Sequence, residues 1–216
     1  MIKRWSIKNG FTLAEVLITL GVIGIVAALT MPTLLQNTKK SEATAKIKKF
    51  ISVINQALIR AESDYGMRED WIKGEMNNTD SSLEFLNTYI KPYITNSTIE
   101  KGGATITTER TSTLKFPDSS QMSIKVGTCY DIYYDINGKK GPNEKGRDVF
   151  QFILCRKKGE CNVNSNQVRP YYCPGNGSKY PSHEELINNC KTQGTYCTML
   201  LQENQYEFPI DYPKRL

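Results

Sequence analysis

The most apolar stretch of the chain runs from Phe11 to Leu35, FTLAEVLITLGVIGIVAALTMPTLL, where 17 of 25 positions are apolar and only Glu15 is charged. At about 1.5 Å per residue a helix of this length spans roughly 37 Å, more than a hydrocarbon core of about 30 Å. By length it is a membrane segment. After Leu35 the pattern changes: Ile47, Phe50, Ile51, Ile54, Ala57, Leu58 and Ala61 recur at helical spacing, while Lys39, Lys40, Lys46, Lys48 and Lys49 fall largely elsewhere. This predicts an amphipathic helix over 36–65, ending near Gly66, whose apolar stripe needs a partner surface. Its lysines read as a solvated face or as a contact to anionic lipid.

Farther on, the signals are shorter. Ser81 to Ile90 reads as a helix with Ser81 or Ser82 as N-cap, stopped by Lys91-Pro92-Tyr93, and Thr105 to Leu114 fits strand or loop. From Ser119 the period becomes two. Met122, Ile124 and Val126 alternate with polar residues, Cys129 to Ile136 and Val149 to Cys155 are β-branched and aromatic, and Asn137-Gly138 is a turn signal between them. An antiparallel sheet of three or four strands follows.

Composition sharpens this picture. The 216 residues are 39% apolar and 23% charged with mean hydropathy −0.46, which excludes a collagenous, polytopic or fully disordered chain. Three of the basic residues behind the net charge of +6, Lys3, Arg4 and Lys8, lie in Met1–Gly10 and place that end on the cytoplasmic side. Without those ten residues the side-chain charge falls to +3. Lys and Tyr are otherwise scattered, which argues against a nucleic-acid partner. No small-residue secretory cleavage site follows the apolar run; Met31-Pro32 leads into further apolar residues.

Glu15 is the anomaly, because an ionisable group inside a spanning helix costs about 2.5–3.5 kcal/mol on insertion scales. It needs a partner, or a wet position at the interface beside Lys8. Pro32 removes a backbone donor and would kink the helix, or it lies just past the span.

The six cysteines, Cys129, Cys155, Cys161, Cys173, Cys190 and Cys197, all follow the apolar run. An even count in an exported region points to disulfides, and the lack of any C-x-x-C or of a cysteine at ligand spacing from His183 argues against zinc. Short local loops favour Cys155–Cys161 and Cys190–Cys197, leaving Cys129–Cys173. Nothing supports catalysis: there is no phosphate loop, serine elbow or metal-binding histidine pair. Between the last two strands, Asp135, Asn137, Asn143 and Asp148 offer oxygen ligands for Ca2+, although two lysines interrupt them and the spacing is not that of an EF-hand. The alternative is a turn whose Asp and Asn side chains bond the backbone.

The run Lys8-Asn-Gly10-Phe11-Thr-Leu-Ala-Glu15-Val-Leu-Ile18 resembles the processing site of type IV pilins and type II secretion pseudopilins: a short basic leader ending in Gly, a Phe, a Glu four residues later, and about twenty apolar residues. The resemblance implies cleavage by a prepilin peptidase between Gly10 and Phe11, N-methylation of Phe11, and retention of the apolar segment. It gives Glu15 a partner, the Phe11 amine of a neighbouring subunit, and sets Pro32 where the helix bends or unwinds on assembly. The segment DINGKKGPNEKGRDVF also resembles a hairpin loop of pseudopilins and minor pilins, some of which bind calcium nearby.

The implied fold is an α+β, pilin-like lollipop: a leader at 1–10, a transmembrane and filament-core helix at 11–35, an amphipathic continuation at 36–65, and an exported head at 66–216 with a small antiparallel sheet and a disulfide-rich end. The implied function is that of a minor pilin or pseudopilin, a structural subunit without catalysis. Its partners are other pilin subunits, the prepilin peptidase and the inner membrane, with no cofactor unless the loop takes Ca2+. Before assembly it would cross the inner membrane once with its head outside the cytoplasm, and afterwards lie in an extracellular or periplasmic filament. The alternative is a membrane-anchored surface adhesin or binding protein with a disulfide-stapled head.

Overall fold

The computed structural model describes residues 10–104, 106, 110–162, 167–174 and 179–216. The basic leader through Asn9, including Lys8, and Thr105 and 107–109 of the Thr-rich run lie outside them. The chain forms two compact units, 1–39 and 40–216, and helix α1 (Leu13–Tyr65) contributes to both.

In the first unit α1 is exposed and apolar: its most apolar 18-residue window has a mean hydropathy of 2.3 with none of it buried, so by length and composition it can cross a membrane. The helix continues through Pro32. That proline has no N–H for the carbonyl four residues earlier. Threonines on either side bond back to the helix, Thr30 Oγ1 to the Val26 carbonyl at 2.9 Å and Thr38 Oγ1 to the Leu34 carbonyl at 3.0 Å, so their hydroxyls need no solvent.

In the second unit, Ala43, Ile47, Phe50, Ile54, Ala57, Leu58 and Ala61 of α1 are all buried. Their partner is a six-stranded antiparallel sheet in simple sequential order: β1 (Thr98–Lys101), β2 (Ser112–Lys115), β3 (Gln121–Val126), β4 (Tyr130–Asp135), β5 (Val149–Leu154) and β6 (Arg169–Pro170). The register aligns Met122, Ile124 and Val126 with Tyr134, Ile132 and Tyr130, and these in turn with Phe150, Phe152 and Leu154. Because alternate side chains share a face, one apolar surface results, and it merges with the α1 stripe into a single core. Phe50 sits at the contact, stacked on Tyr134 at 4.1 Å between ring centroids and 5.1 Å from Phe152. The helix stops at Tyr65, where Gly66 takes the left-handed backbone (φ +80°) usual after a helix C-terminus.

The sheet has six strands where three or four are expected. The additional ones include β1 and β6, and β2 comes from the end of the Thr-rich run, where strand and loop are both open from the sequence. Its Thr113 hydroxyl pairs with Ser123 Oγ at 2.8 Å while both residues are buried, a polar but satisfied layer that hydrophobic alternation does not reveal. The short helix also begins earlier: α2 is Thr79–Phe85, capped by Asn78 Oδ1, which accepts from the Asp80 and Ser81 amides. Ser81 and Ser82 are inside it, and a wider turn over Leu86–Ile90 follows.

The α1 lysines are not simply solvated. Lys46 Nζ donates to the Ile136 carbonyl at 2.6 Å, Lys49 meets Asp118 at 2.8 Å and Lys48 meets Glu207 at 3.2 Å. Burial pushes Asp118 up, but hydrogen bonds from Lys49 and Ser120 outweigh it and hold the carboxyl at about 2. Exposed ion pairs of this kind contribute little individually; their effect is to fix which way the loops face.

The disulfides are Cys129–Cys155, Cys161–Cys173 and Cys190–Cys197. The expected Cys155–Cys161 and Cys129–Cys173 pairs are therefore exchanged. Tyr130 opposes Leu154 in the β4–β5 ladder, so Cys129 and Cys155 are the next pair along it, with Cα atoms 4.3 Å apart. Loop length is a weak guide beside this, since doubling a loop costs only about 0.6 kcal/mol of closure entropy.

Replacing Phe50 by Ala should lower the unfolding free energy of the head by about 3–5 kcal/mol, whereas Ile51→Ala, only half-buried, should cost clearly less. Denaturant titration of the detergent-solubilised chain, followed by tyrosine and tryptophan fluorescence, reads both; equal losses would contradict the packing described.

Candidate functional site

The segment singled out by its residues begins where α1 begins. Gly10 and Phe11 are exposed, Phe11 at 88%, and precede the first helical turn. Thr12 stands at the N-cap and Glu15 three residues on. Glu15 N–H donates to Thr12 Oγ1 at 3.2 Å, while Thr12 N–H and its hydroxyl donate to Glu15 Oε2 at 2.8 and 2.7 Å. This is a reciprocal capping box. The charge in the apolar segment thus already serves its own helix end, satisfying amides that would otherwise lack partners and lying at the positive end of the helix dipole. Thr-x-x-Glu directly before an apolar run is a readable signature of such a box, and it is the signal that reasoning from charge and spacing alone passes over. Pro32 lies inside the same helix, well beyond its first turns.

Asp135, Asn137, Asn143 and Asp148 do meet in one loop between β4 and β5. Asn137 N–H donates to Asp135 Oδ1 at 3.1 Å. Asp148 Oδ2 accepts from Asn143 N–H at 2.8 Å and from Asn137 Nδ2 at 3.4 Å, and its Oδ1 accepts from Glu144 N–H at 2.6 Å. In the orientation that satisfies it, the Asn143 amide nitrogen donates to the Gly138 and Lys140 carbonyls at 3.1 and 3.3 Å. Asp135 and Asp148 are buried. This donor set suits a hydrogen-bonded turn. Three N–H groups occupy the Asp148 carboxylate, as such a turn requires.

The loop is held from outside by the end of the chain. Tyr212 OH donates to the Gly146 carbonyl at 2.6 Å, and Lys214 Nζ meets Glu144 at 2.6 Å. Gly146 (φ +77°) is required here, since a Cβ at this position would collide with Cys197 Sγ.

His183 opens helix α3 (His183–Thr192), whose own capping box joins Ser182 and Glu185. Its Nδ1 lies 2.8 Å from Glu203 Oε2, at the end of α4 (Cys197–Glu203), and its Nε2 lies 3.0 Å from Asp211 Oδ2 of the C-terminal segment. Hydrogen bonds to Glu203 and then Asp211 raise the imidazole above its usual range, and His183 in return holds Asp211 down. Its spacing from the cysteines is irrelevant to this role, which only the packing of α3, α4 and the C-terminal residues creates.

The sign of the resulting pH dependence follows from the raised imidazole. The stabilisation is complete below the histidine's ordinary value of about 6.5 and disappears as pH rises through the higher folded-state value. The melting temperature of the head should therefore fall over this window, and His183→Gln should flatten that fall; a wild-type profile that is level or rises there would contradict the clasp.

A family model described as the prokaryotic N-terminal methylation motif matches residues 5–31, the segment built around the Thr12–Glu15 box. This is the type IV pilin and pseudopilin signal. A second family model, a family of unknown function (DUF6613), matches residues 33–216. No curated protein and no solved structure matches the chain. Since the second match covers the rest of α1 and the whole disulfide-bonded α+β region beyond it, the chain belongs to the family of unknown function DUF6613.

Proposed function

We propose that this chain is a minor pilin or pseudopilin, a structural subunit of a type IV pilus or type II secretion filament. A prepilin peptidase cuts between Gly10 and Phe11, the new amine of Phe11 is methylated, and the subunit waits in the inner membrane with its head exported until α1 enters the filament. The single observation that carries this reading is the Thr12–Glu15 box at the start of an exposed apolar helix, inside the methylation motif.

The box explains how one carboxylate serves both stages. In the lone subunit, Thr12 occupies Glu15 Oε2, which lowers the cost of holding a charge among apolar groups. On assembly the Phe11 amine of a neighbour takes the other oxygen. An ammonium–carboxylate pair strengthens as water is excluded but is costly if either partner is missing. Such a pair rewards one stagger between subunits and penalises the others.

Glu15→Ala should leave cleavage at Gly10 intact and reduce incorporation into filaments by at least about tenfold, the factor that 1.4 kcal/mol of lost pairing produces. Edman or mass-spectrometric reading of the mature N-terminus should return N-methyl-Phe11. An intact Met1 beside an active peptidase would overturn the processing step. Undiminished incorporation of Glu15→Ala would overturn the pairing, whereas membrane localisation and ligand binding untouched by Glu15→Ala, with no filament containing the wild-type chain, would favour a free-standing anchored binding protein.

A further inference from the structure

Two of the three disulfides touch. Cys129 and Cys155 are 4% and 3% exposed and close the β4–β5 ladder, while Cys173 of the neighbouring Cys161–Cys173 bridge is exposed and Cys161 half-buried. Cys129 Sγ lies 3.5 Å from Cys161 Sγ, and the sulfurs of Cys129, Cys155 and Cys161 all lie within 4.8 Å of one another. Glu160 Oε2 is 3.9 Å from Cys129 Sγ and accepts from the Arg156 and Lys157 amides at 3.1 and 3.2 Å. Sulfurs in contact can exchange partners as soon as one becomes a thiolate, because exchange proceeds by thiolate attack on a disulfide sulfur.

We propose that the exposed Cys161–Cys173 bridge is a modification site for small monothiols such as glutathione, and that its opening is relayed to the buried Cys129–Cys155 bridge. A monothiolate attacks Cys173 Sγ, on the more exposed residue of the bridge. A mixed disulfide forms on Cys173, and Cys161 departs with the electron pair as a thiolate. Cys161 then turns about χ1 and attacks Cys129 Sγ: the Cys129–Cys161 bond forms, the Cys129–Cys155 bond breaks, and Cys155 leaves as thiolate and is protonated by water. Cys155 is the better leaving group because the Glu160 carboxylate disfavours negative charge on Cys129. A second monothiolate attacks the thiol's sulfur in the mixed disulfide and frees Cys173. In sum, two monothiols are oxidised to their disulfide and one protein disulfide is reduced, leaving Cys129–Cys161 in place of the two original bridges.

The exchange changes what is tied to what. Cys161 becomes joined directly to the sheet, and Cys173, next to Tyr172 and Pro174, is released from its covalent tether. The Cys190–Cys197 bridge, buried at both ends, provides an internal reference.

The test is graded glutathione treatment of the oxidised full chain in detergent, an acid quench, alkylation and peptide mapping. The first partially reduced species should carry alkyl groups on Cys155 and Cys173, a Cys129–Cys161 cross-linked peptide, and an intact Cys190–Cys197 bridge. Alkylation of Cys161 and Cys173 with Cys129–Cys155 retained would overturn the relay, as would a Cys155–Cys161 cross-link with Cys129 alkylated. In a Cys161→Ser, Cys173→Ser double variant, the inner bridge should be reduced about tenfold more slowly than in the wild type; an equal rate would also overturn it. Mapping of the unmodified chain decides the question even where that variant folds poorly.

Discussion

The larger unit depends on one seam, the stripe from Ala43 to Ala61 of α1 against the apolar face of β3, β4 and β5. Strands of two to six residues, joined in order with no crossover, are weak alone; they persist when a helix covers one face. Phe50 concentrates this coverage, since it reaches Tyr134, Phe152 and Phe116 at once. A second aromatic group of Trp71, Phe85, Tyr89 and Tyr130 extends the same core, with Trp71 stacked on Tyr89 at 4.1 Å. Everything farther from the seam is fastened by covalent or polar ties. Disulfides close the ends of β4 and β5 and join α3 to α4, while Tyr212 and Lys214 hold the β4–β5 loop.

One polar device recurs. A side-chain oxygen accepts backbone amides that the local fold leaves over: Glu15 and Thr12 at the start of α1, Asn78 at α2, Ser182 and Glu185 at α3, Asp148 in the long loop, and Glu160 beside the two touching disulfides. In each case unpaired N–H groups would be expensive if removed from water. At Glu15 the device sits where water is scarcest by composition. The same carboxylate that caps the helix is therefore the one charged group available in that segment for a partner outside it.

The long helix, its apolar first half, the buried stripe and the stop at Gly66 were legible because each depends on periodicity or on a single residue's conformational freedom. Strands β3 to β5 were legible for the same reason. Strand β2 was left open between strand and loop, since Thr113 and Ser123 bury hydroxyls that pair with each other, and a buried pair of that sort resembles a loop in sequence. The cap of α2 was misplaced by a few residues because Asn78, Ser81 and Ser82 are all competent caps, and the choice among them depends on packing. At the candidate site, Gly10, Phe11 and Glu15 stood out by residue type, but the reciprocal role of Thr12 did not.

Alone, the sequence determined where the chain is apolar, where it carries its isolated charge, and that six cysteines follow the membrane-length segment. These are local properties, set by residues within a few turns of one another. Cys190–Cys197 was legible too, but the tertiary structure alone decided the partners of Cys129, Cys155, Cys161 and Cys173, that the Asp135–Asp148 loop directs its carboxylates at amides, that the α1 lysines meet Ile136, Asp118 and Glu207, and that His183 bridges α4 and the C-terminal segment. The lysine and histidine contacts and the Cys129–Cys155 bridge join residues distant in sequence, whereas those of the Asp135–Asp148 loop are short-range and depend on how β4 and β5 hold its ends. Such choices follow from strand register and helix packing, whose geometry outweighs the small differences in loop entropy that sequence separation measures.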